Sequence, residues 1–162
     1  MRPKGSAAMV VAFLVGCSQQ GEVLVPSKVD TGVFDGRYEL VREASFARMQ
    51  QQVAAEADAQ RKQTGQALLD HMAEQYSHFH VDRGVIRSGG LLVQEFSLVQ
   101  AEVQANTLKG RAVWHEDVHD PGDDSEVAIM LRLNGDQLEF AFLDEQGQPE
   151  EPIVLKRIAG AR

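Results

Sequence analysis

Hydrophobic and polar residues alternate most regularly between positions 127 and 142 of the chain. Apolar residues occupy every second position on both sides of Asn134-Gly135. A period of two turns one face of a strand toward the core, and Asn-Gly favours the tight turn that joins two antiparallel strands. The pattern predicts a β-hairpin whose inward-facing residues are Val127, Ile129, Leu131, Leu133, Leu138, Phe140 and Phe142.

Further short alternating runs, separated by turn residues, predict the rest of an antiparallel meander. In one of these runs the apolar positions change parity between Leu98 and Val99, which predicts a β-bulge. The runs add up to about eight strands, enough to close a small barrel without an open sheet edge. Besides the hairpin, the predicted strands lie at 36–42, 78–81, 85–86, 93–105, 107–117 and 153–158.

A different pattern occupies residues 44–76, between the first and second predicted strands. This segment lacks proline, is rich in Ala, Gln, Glu and Arg, and repeats apolar residues at spacings of three and four. It predicts amphipathic helix, which we expect to be broken near Thr64-Gly65 into two. The apolar stripe of the helix faces the core by default, and a lid is the alternative. The predicted fold class is therefore mainly β: a small antiparallel meander barrel with one or two helices after the first strand.

The first residues of the chain have the layout of an export signal. Two cations, Arg2 and Lys4, precede an uncharged apolar run that is too short to span a bilayer as a helix. The next four residues, Leu14-Val15-Gly16-Cys17, resemble the lipobox of bacterial lipoproteins. The resemblance implies that signal peptide 1–16 is removed and that Cys17 carries the lipid, including palmitate, that anchors the protein to a membrane. The alternative is an ordinary cleaved signal followed by an incidental cysteine.

Charge and cysteine content narrow the function classes further. Cys17 is the only cysteine, so no internal disulfide can form. Without residues 1–16 the chain keeps 14 basic and 24 acidic residues, a net charge of −10 that repels nucleic acid. Residues 17–33 hold few large apolar side chains and several turn residues, which predicts a flexible tether before a folded domain at 34–160. Ser18 after the cysteine, by the same lipoprotein resemblance, implies an outer-membrane location facing the periplasm.

The opening of the predicted domain resembles a known superfamily. The segment Phe34-Asp35-Gly36-Arg37-Tyr38-Glu39-Leu40-Val41, with a helix after it, is similar to the start of the calycins, the lipocalins and fatty-acid-binding proteins. Tyr38 stands where the family usually has tryptophan, and the last strand has no Arg-x-Tyr clamp for a carboxylate. The resemblance implies a barrel that binds a small hydrophobic ligand, with Tyr38 packed against Arg157 of the last strand to close the barrel.

Two of these site residues keep alternative interpretations. If Ile153 and Leu155 face inward, Arg157 does too, and it then either closes the barrel or neutralises the anionic headgroup of a ligand. If Val154 faces inward instead, Arg157 lies in water. Trp114 is in phase with two small residues, Gly110 and Ala112. Such a strip either leaves room for a ligand or accepts a bulky side chain from across the core, and we expect a filled core.

Other polar clusters indicate little specific chemistry. His115 and His119 lie among carboxylates that would suit zinc, but Pro121-Gly122 indicates a solvated turn, so we expect no metal site. His78 and His80 share one face of a predicted strand. No serine stands in a nucleophile-elbow context, and Gly89-Gly90 is too short to cradle a phosphate. We therefore expect neither enzymatic activity nor a cofactor.

The sequence leads to two hypotheses about function. In the first, the mature protein is a lipid-anchored envelope lipoprotein that binds a small hydrophobic ligand or an envelope partner. In the second, it is a structural or assembly lipoprotein with a packed core that acts through protein contacts of residues 44–76. An apolar cavity open to solvent favours the first hypothesis, and an exposed apolar stripe on the helices favours the second.

Overall fold

The computed structural model of the protein describes residues 29–90, 93–115 and 124–160. Within these residues, eight antiparallel strands form a closed barrel in sequential order, with the last strand paired to the first. The strands are β1 (Gly36–Leu40), β2 (Phe79–Asp82), β3 (Val85–Ser88), β4 (Gln94–Gln104), β5 (Thr107–His115), β6 (Ser125–Asn134), β7 (Gln137–Phe142) and β8 (Ile153–Arg157). The predicted fold class, a mainly β meander barrel, is confirmed.

Two local predictions about the sheet are also confirmed. Asn134 pairs with Gln137, so a two-residue turn joins β6 to β7, and Gly135 adopts a φ of 64° that favours glycine. The register between β4 and β5 shifts after Leu98, which leaves Val99 as the extra residue of a bulge. The two strands approach closely there. A Cβ on Gly110 would lie 2.5 Å from the carbonyl oxygen of Gln100.

Two helices connect β1 to β2, as expected, but the position predicted for the break between them is wrong. The helices are α1 (Arg42–Ala55) and α2 (Ala59–Gln75). The break lies at 56–58, because the side chain of Asp58 accepts a hydrogen bond from the Arg61 amide and caps α2. Gly65 stays helical and serves packing instead: a Cβ there would lie 2.7 Å from Cγ2 of Val53 on α1.

The helices attach to the barrel through α1 and through the end of α2. On α1, Ser45 Oγ donates to the Val154 carbonyl at 3.1 Å and accepts from the Val154 amide at 2.8 Å, which ties the helix to β8. α2 packs on α1, and the residue after it, Tyr76, enters the core with its ring centroid 6.3 Å from that of Phe140. Neither helix is long and apolar enough to cross a membrane.

The end of the barrel opposite the helices is closed by the chain before β1. A short 3-10 helix, Gly32–Phe34, buries Phe34 completely. Just before it, Thr31 Oγ1 accepts a hydrogen bond of 3.0 Å from the amide of Gly84, in the turn between β2 and β3. We call this closed end, residues 29–35 with the turn 83–84, the floor of the barrel.

Large side chains fill the inside of the barrel. Phe79, Phe96 and Phe140 come from three different strands and are almost fully buried. The ring centroid of Phe140 lies 5.4 Å from those of both other residues, a normal distance for aromatic packing. The fully buried aliphatic side chains around them include Ile86, Leu98, Leu108, Ile129, Leu131 and Leu138.

Candidate functional site

Tyr38 and Arg157 are brought together by the register between β1 and β8, in which they are direct partners. Ile153 and Leu155 are buried and Arg157 follows their parity, whereas Ile158 is 41% exposed. Arg157 therefore turns toward the floor of the barrel. Its Cζ atom lies 5.3 Å from the centroid of the Tyr38 ring.

The Arg157 guanidinium is held by a short chain of hydrogen bonds at the floor. Its Nη2 donates to the Tyr38 hydroxyl oxygen and to the Val33 carbonyl, both at 2.6 Å, and the Tyr38 hydroxyl donates to the Phe34 carbonyl at 2.6 Å. Burial raises the pKa of Tyr38 above its ordinary value, although the hydrogen bond from Arg157 opposes the rise. Nε of Arg157 is enclosed and has no partner among the described residues. These contacts join β1, β8 and the 3-10 helix.

Trp114 lies at the other end of the barrel, near the end of β5. Its ring stacks on Phe96 at a centroid distance of 5.9 Å and an interplanar angle of 10°, and it also contacts Phe142 at 6.1 Å. The small residues beside it have packed neighbours, since Ala112 is fully buried and Gly110 adjoins the bulge. Trp114 thus belongs to the aromatic packing and does not meet Tyr38 or Arg157.

The remaining predicted site residues are only partly described. His115 Nδ1 lies 2.6 Å from a carboxylate oxygen of Asp124, and the described residues contain no group of three or more side chains able to hold a metal ion. Cys17 and His119 lie outside the described residues. The expectation that Cys17 is lipidated stays a prediction.

A groove of about 580 Å³ on the outside of the barrel was not anticipated from the sequence. The outward-facing residues Arg37, His80 and Arg87, from three consecutive strands, line its wall, and the exposed Ile158 borders it. We call it the wall groove. Its full lining is Arg37, Tyr38, His78, Phe79, His80, Arg87, Ser88, Gly89, Gly90, Val93 and Ile158.

The strand register places the polar residues of the wall groove in one row. Arg37 is the direct partner of His80, His80 of Arg87, and Arg87 of Glu95. Arg87 Nε donates to the Glu95 carboxylate at 2.8 Å, which relieves part of the positive charge at one end of the row. No aspartate or glutamate is among the described residues that line the groove, although the chain carries 24 acidic residues.

A second pocket, of about 550 Å³, adjoins the wall groove at the floor. The two share Arg37 and His80, and Arg157 also lines the floor pocket. Two carboxylates, Asp35 and Asp82, line it as well and offset its cations. The floor pocket is therefore electrostatically mixed, whereas the wall groove is lined by cations, histidines and apolar surface.

Comparison with known proteins adds no functional assignment. The sequence matches no protein-family model and no curated protein, and the structure matches no solved structure. The closed eight-strand antiparallel barrel is compatible with a calycin-like fold.

Proposed function

We propose that the protein is a lipid-anchored binding module of the bacterial envelope, and that it holds a small hydrophobic ligand in the wall groove on the outside of its barrel. This proposal rests on one contrast: Phe79, Phe96 and Phe140 fill the interior of the barrel, whereas the groove on its outside is open. The proposal thus departs from the resemblance to calycins, which implies a ligand inside the barrel.

Apolar surface supplies the attraction in this proposal. Ile158 is one of four large hydrophobic residues that are exposed among those described, and Val93 lines the same groove in a half-buried position. Burying such surface against a ligand gains about 25 cal/mol for each Å² removed from water. Pockets of roughly 300–1,000 Å³ are typical of small-molecule sites, and the groove, at about 580 Å³, lies in that range.

The membrane part of the proposal rests on the lipobox resemblance. Residues 18–28 separate Cys17 from Val29, where the described chain reaches the floor, and the chain from Cys17 to Val29 spans at most roughly 40 Å. The barrel would then lie near the bilayer, in the proposed outer-membrane location facing the periplasm. Expressed in a bacterial host, the wild type should partition with membranes and Cys17→Ser should remain as uncleaved precursor or appear in the soluble fraction. Identical processing and location of the two proteins would contradict the lipid anchor.

Binding in the groove is tested with Nile red, a neutral dye that fluoresces in apolar sites. Ile158→Glu should lower the dye affinity at least about tenfold, because it places a charge on the apolar border of the groove. Val103→Glu is the matched control, since Val103 is similarly exposed, at 48%, but lies on β4 and does not line the groove. Equal dye affinity in the two variants would refute ligand binding at this site.

A second candidate function, assembly through the helices, is supported by the position of α2. This helix has 17 residues, of which only Leu69 is fully buried, so most of its surface is available to a partner protein. Leu68, which is 50% exposed, is the only large hydrophobic residue exposed on the two described helices, so they carry no continuous stripe of exposed large apolar side chains. This candidate becomes the stronger one if the wall groove binds no dye.

A further inference from the structure

We infer that the ligand of the wall groove carries a phosphate group, which Arg37 and Arg87 hold from either side of His80. The inference rests on the proposed function, because it specifies the headgroup of a ligand that binds in that groove. It concerns a site on the outer wall of the barrel, separate from the Tyr38–Arg157 contact at the floor.

The geometry follows from the register of three strands. Direct partners on one face of an antiparallel sheet have Cβ atoms about 5 Å apart. Arg37 and Arg87 are therefore separated by a single residue, His80, across the sheet. Both arginine side chains are exposed and long enough to turn toward a group that lies over the imidazole. The two guanidinium groups and one ring nitrogen of His80 can therefore contact the same group of a ligand.

The charges of the row are only partly balanced by the protein. Arg87 is paired with Glu95, whereas Arg37 has no ion pair among the described residues. Arg37 and Arg87 lie two strands apart on one sheet face, so an anion over His80 would be attracted by both guanidinium groups. Asp35 and Asp82 of the adjoining floor pocket form no ion pair with Arg37, and no carboxylate is among the described lining residues of the wall groove, in a chain whose net charge is −8. An anionic ligand removes the imbalance.

Phosphate fits the donor set better than a carboxylate does. A phosphate monoester carries a charge of about −1.5 to −2 at neutral pH and three acceptor oxygens, enough for two guanidinium groups and an imidazole N–H. Guanidinium is also the side chain best suited to bidentate phosphate contacts. Ile158, which lies beside Arg37 across the pairing of β1 with β8, supplies apolar surface on the border of the groove for a short hydrocarbon tail on the same ligand. The inferred ligand class is a phosphorylated amphiphile.

The test compares three probes on the full chain carrying Cys17→Ser, so that no lipid anchor competes for them. The probes are octyl phosphate, octyl glucoside with the same tail and a neutral headgroup, and inorganic phosphate without a tail; binding is measured by titration calorimetry. Octyl phosphate should bind at least about tenfold more tightly than octyl glucoside. Arg37→Gln and Arg87→Gln should each remove most of this preference and leave octyl glucoside binding unchanged. Arg48→Gln, an equal loss of charge on the exposed surface of α1, should change neither.

The results distinguish recognition of a phosphate group from the proposed binding of a hydrophobic ligand. Equal affinities for octyl phosphate and octyl glucoside, with no effect of Arg37→Gln, would overturn the phosphate inference but leave a hydrophobic ligand site standing. Binding of neither amphiphile would overturn both. If inorganic phosphate binds as tightly as octyl phosphate, phosphate recognition is supported and its source is the free ion rather than a lipid. Thermal unfolding of each variant identifies any loss of affinity that comes from a loss of fold.

Discussion

Removal of the Arg157 side chain tests whether the contact with Tyr38 closes the barrel. In Arg157→Ala the Val33 carbonyl and the Tyr38 hydroxyl each lose a hydrogen bond of 2.6 Å, and the Tyr38 ring loses the cation above it. If the contact is structural, the variant should unfold more readily. If Arg157 serves a ligand headgroup instead, stability should be unchanged while ligand uptake falls.

The expected loss of unfolding free energy in Arg157→Ala follows from three contributions. A guanidinium over a tyrosine ring is worth about 0.5–2 kcal/mol. Each hydrogen bond from the charged group adds about 1 kcal/mol once its partial exposure to solvent is discounted. Against these, the enclosed Nε of Arg157 has no partner, and its burial costs roughly 1 kcal/mol that the variant recovers. The free energy of unfolding should therefore fall by about 2 kcal/mol.

Urea denaturation of the wild type, Arg157→Ala, Tyr38→Phe and the double variant measures this loss and its origin. The double variant should be more stable than the sum of the single losses predicts, with a coupling energy of about 1 kcal/mol, because both changes remove the same hydrogen bond. Lys156→Ala, on the exposed side of the same strand, is the control and should change stability little. A loss in Arg157→Ala no larger than that of the control, or a coupling near zero, would refute the closure.

Two further predictions concern packing and pH. Gly65→Ala should destabilise the protein by about 1 kcal/mol although alanine is the better helix former, because its Cβ would meet Val53 Cγ2 at 2.7 Å. In a protein that already carries Val53→Ala, the same Gly65→Ala change should instead be stabilising. Melting temperatures of the two single variants and of the double variant measure this difference. Burial raises the pKa of Tyr76, so the folded state holds the hydroxyl proton more tightly than the unfolded state does. The stability that Tyr76 contributes is therefore complete below about pH 10 and is lost as the pH rises further. Urea midpoints measured from neutral to strongly alkaline pH should fall less steeply in Tyr76→Phe than in the wild type, and parallel curves would contradict this assignment.

The strands of the barrel were predictable because their information is local. Period-two alternation and an Asn-Gly turn act within a few residues, so the hairpin at 127–142 was correctly placed from the sequence. The parity change at Leu98 and Val99 likewise marks a bulge without reference to the rest of the chain. Both patterns report which side of a strand is buried, and burial of one face is what fixes strand register.

The helix break and the candidate site needed the tertiary structure. Gly65 looks like a helix breaker in the sequence, yet it permits close packing against Val53, a residue of the other helix. Arg37 is far in the chain from His80 and Arg87, and the three residues form one row only after β1, β2 and β3 pair in a particular register. The pairing of β1 with β2 brings Arg37 beside the β2–β3 hairpin, although two helices separate these strands in the chain. The filled interior was similarly decided by how side chains from separate strands meet, and no local pattern encodes that.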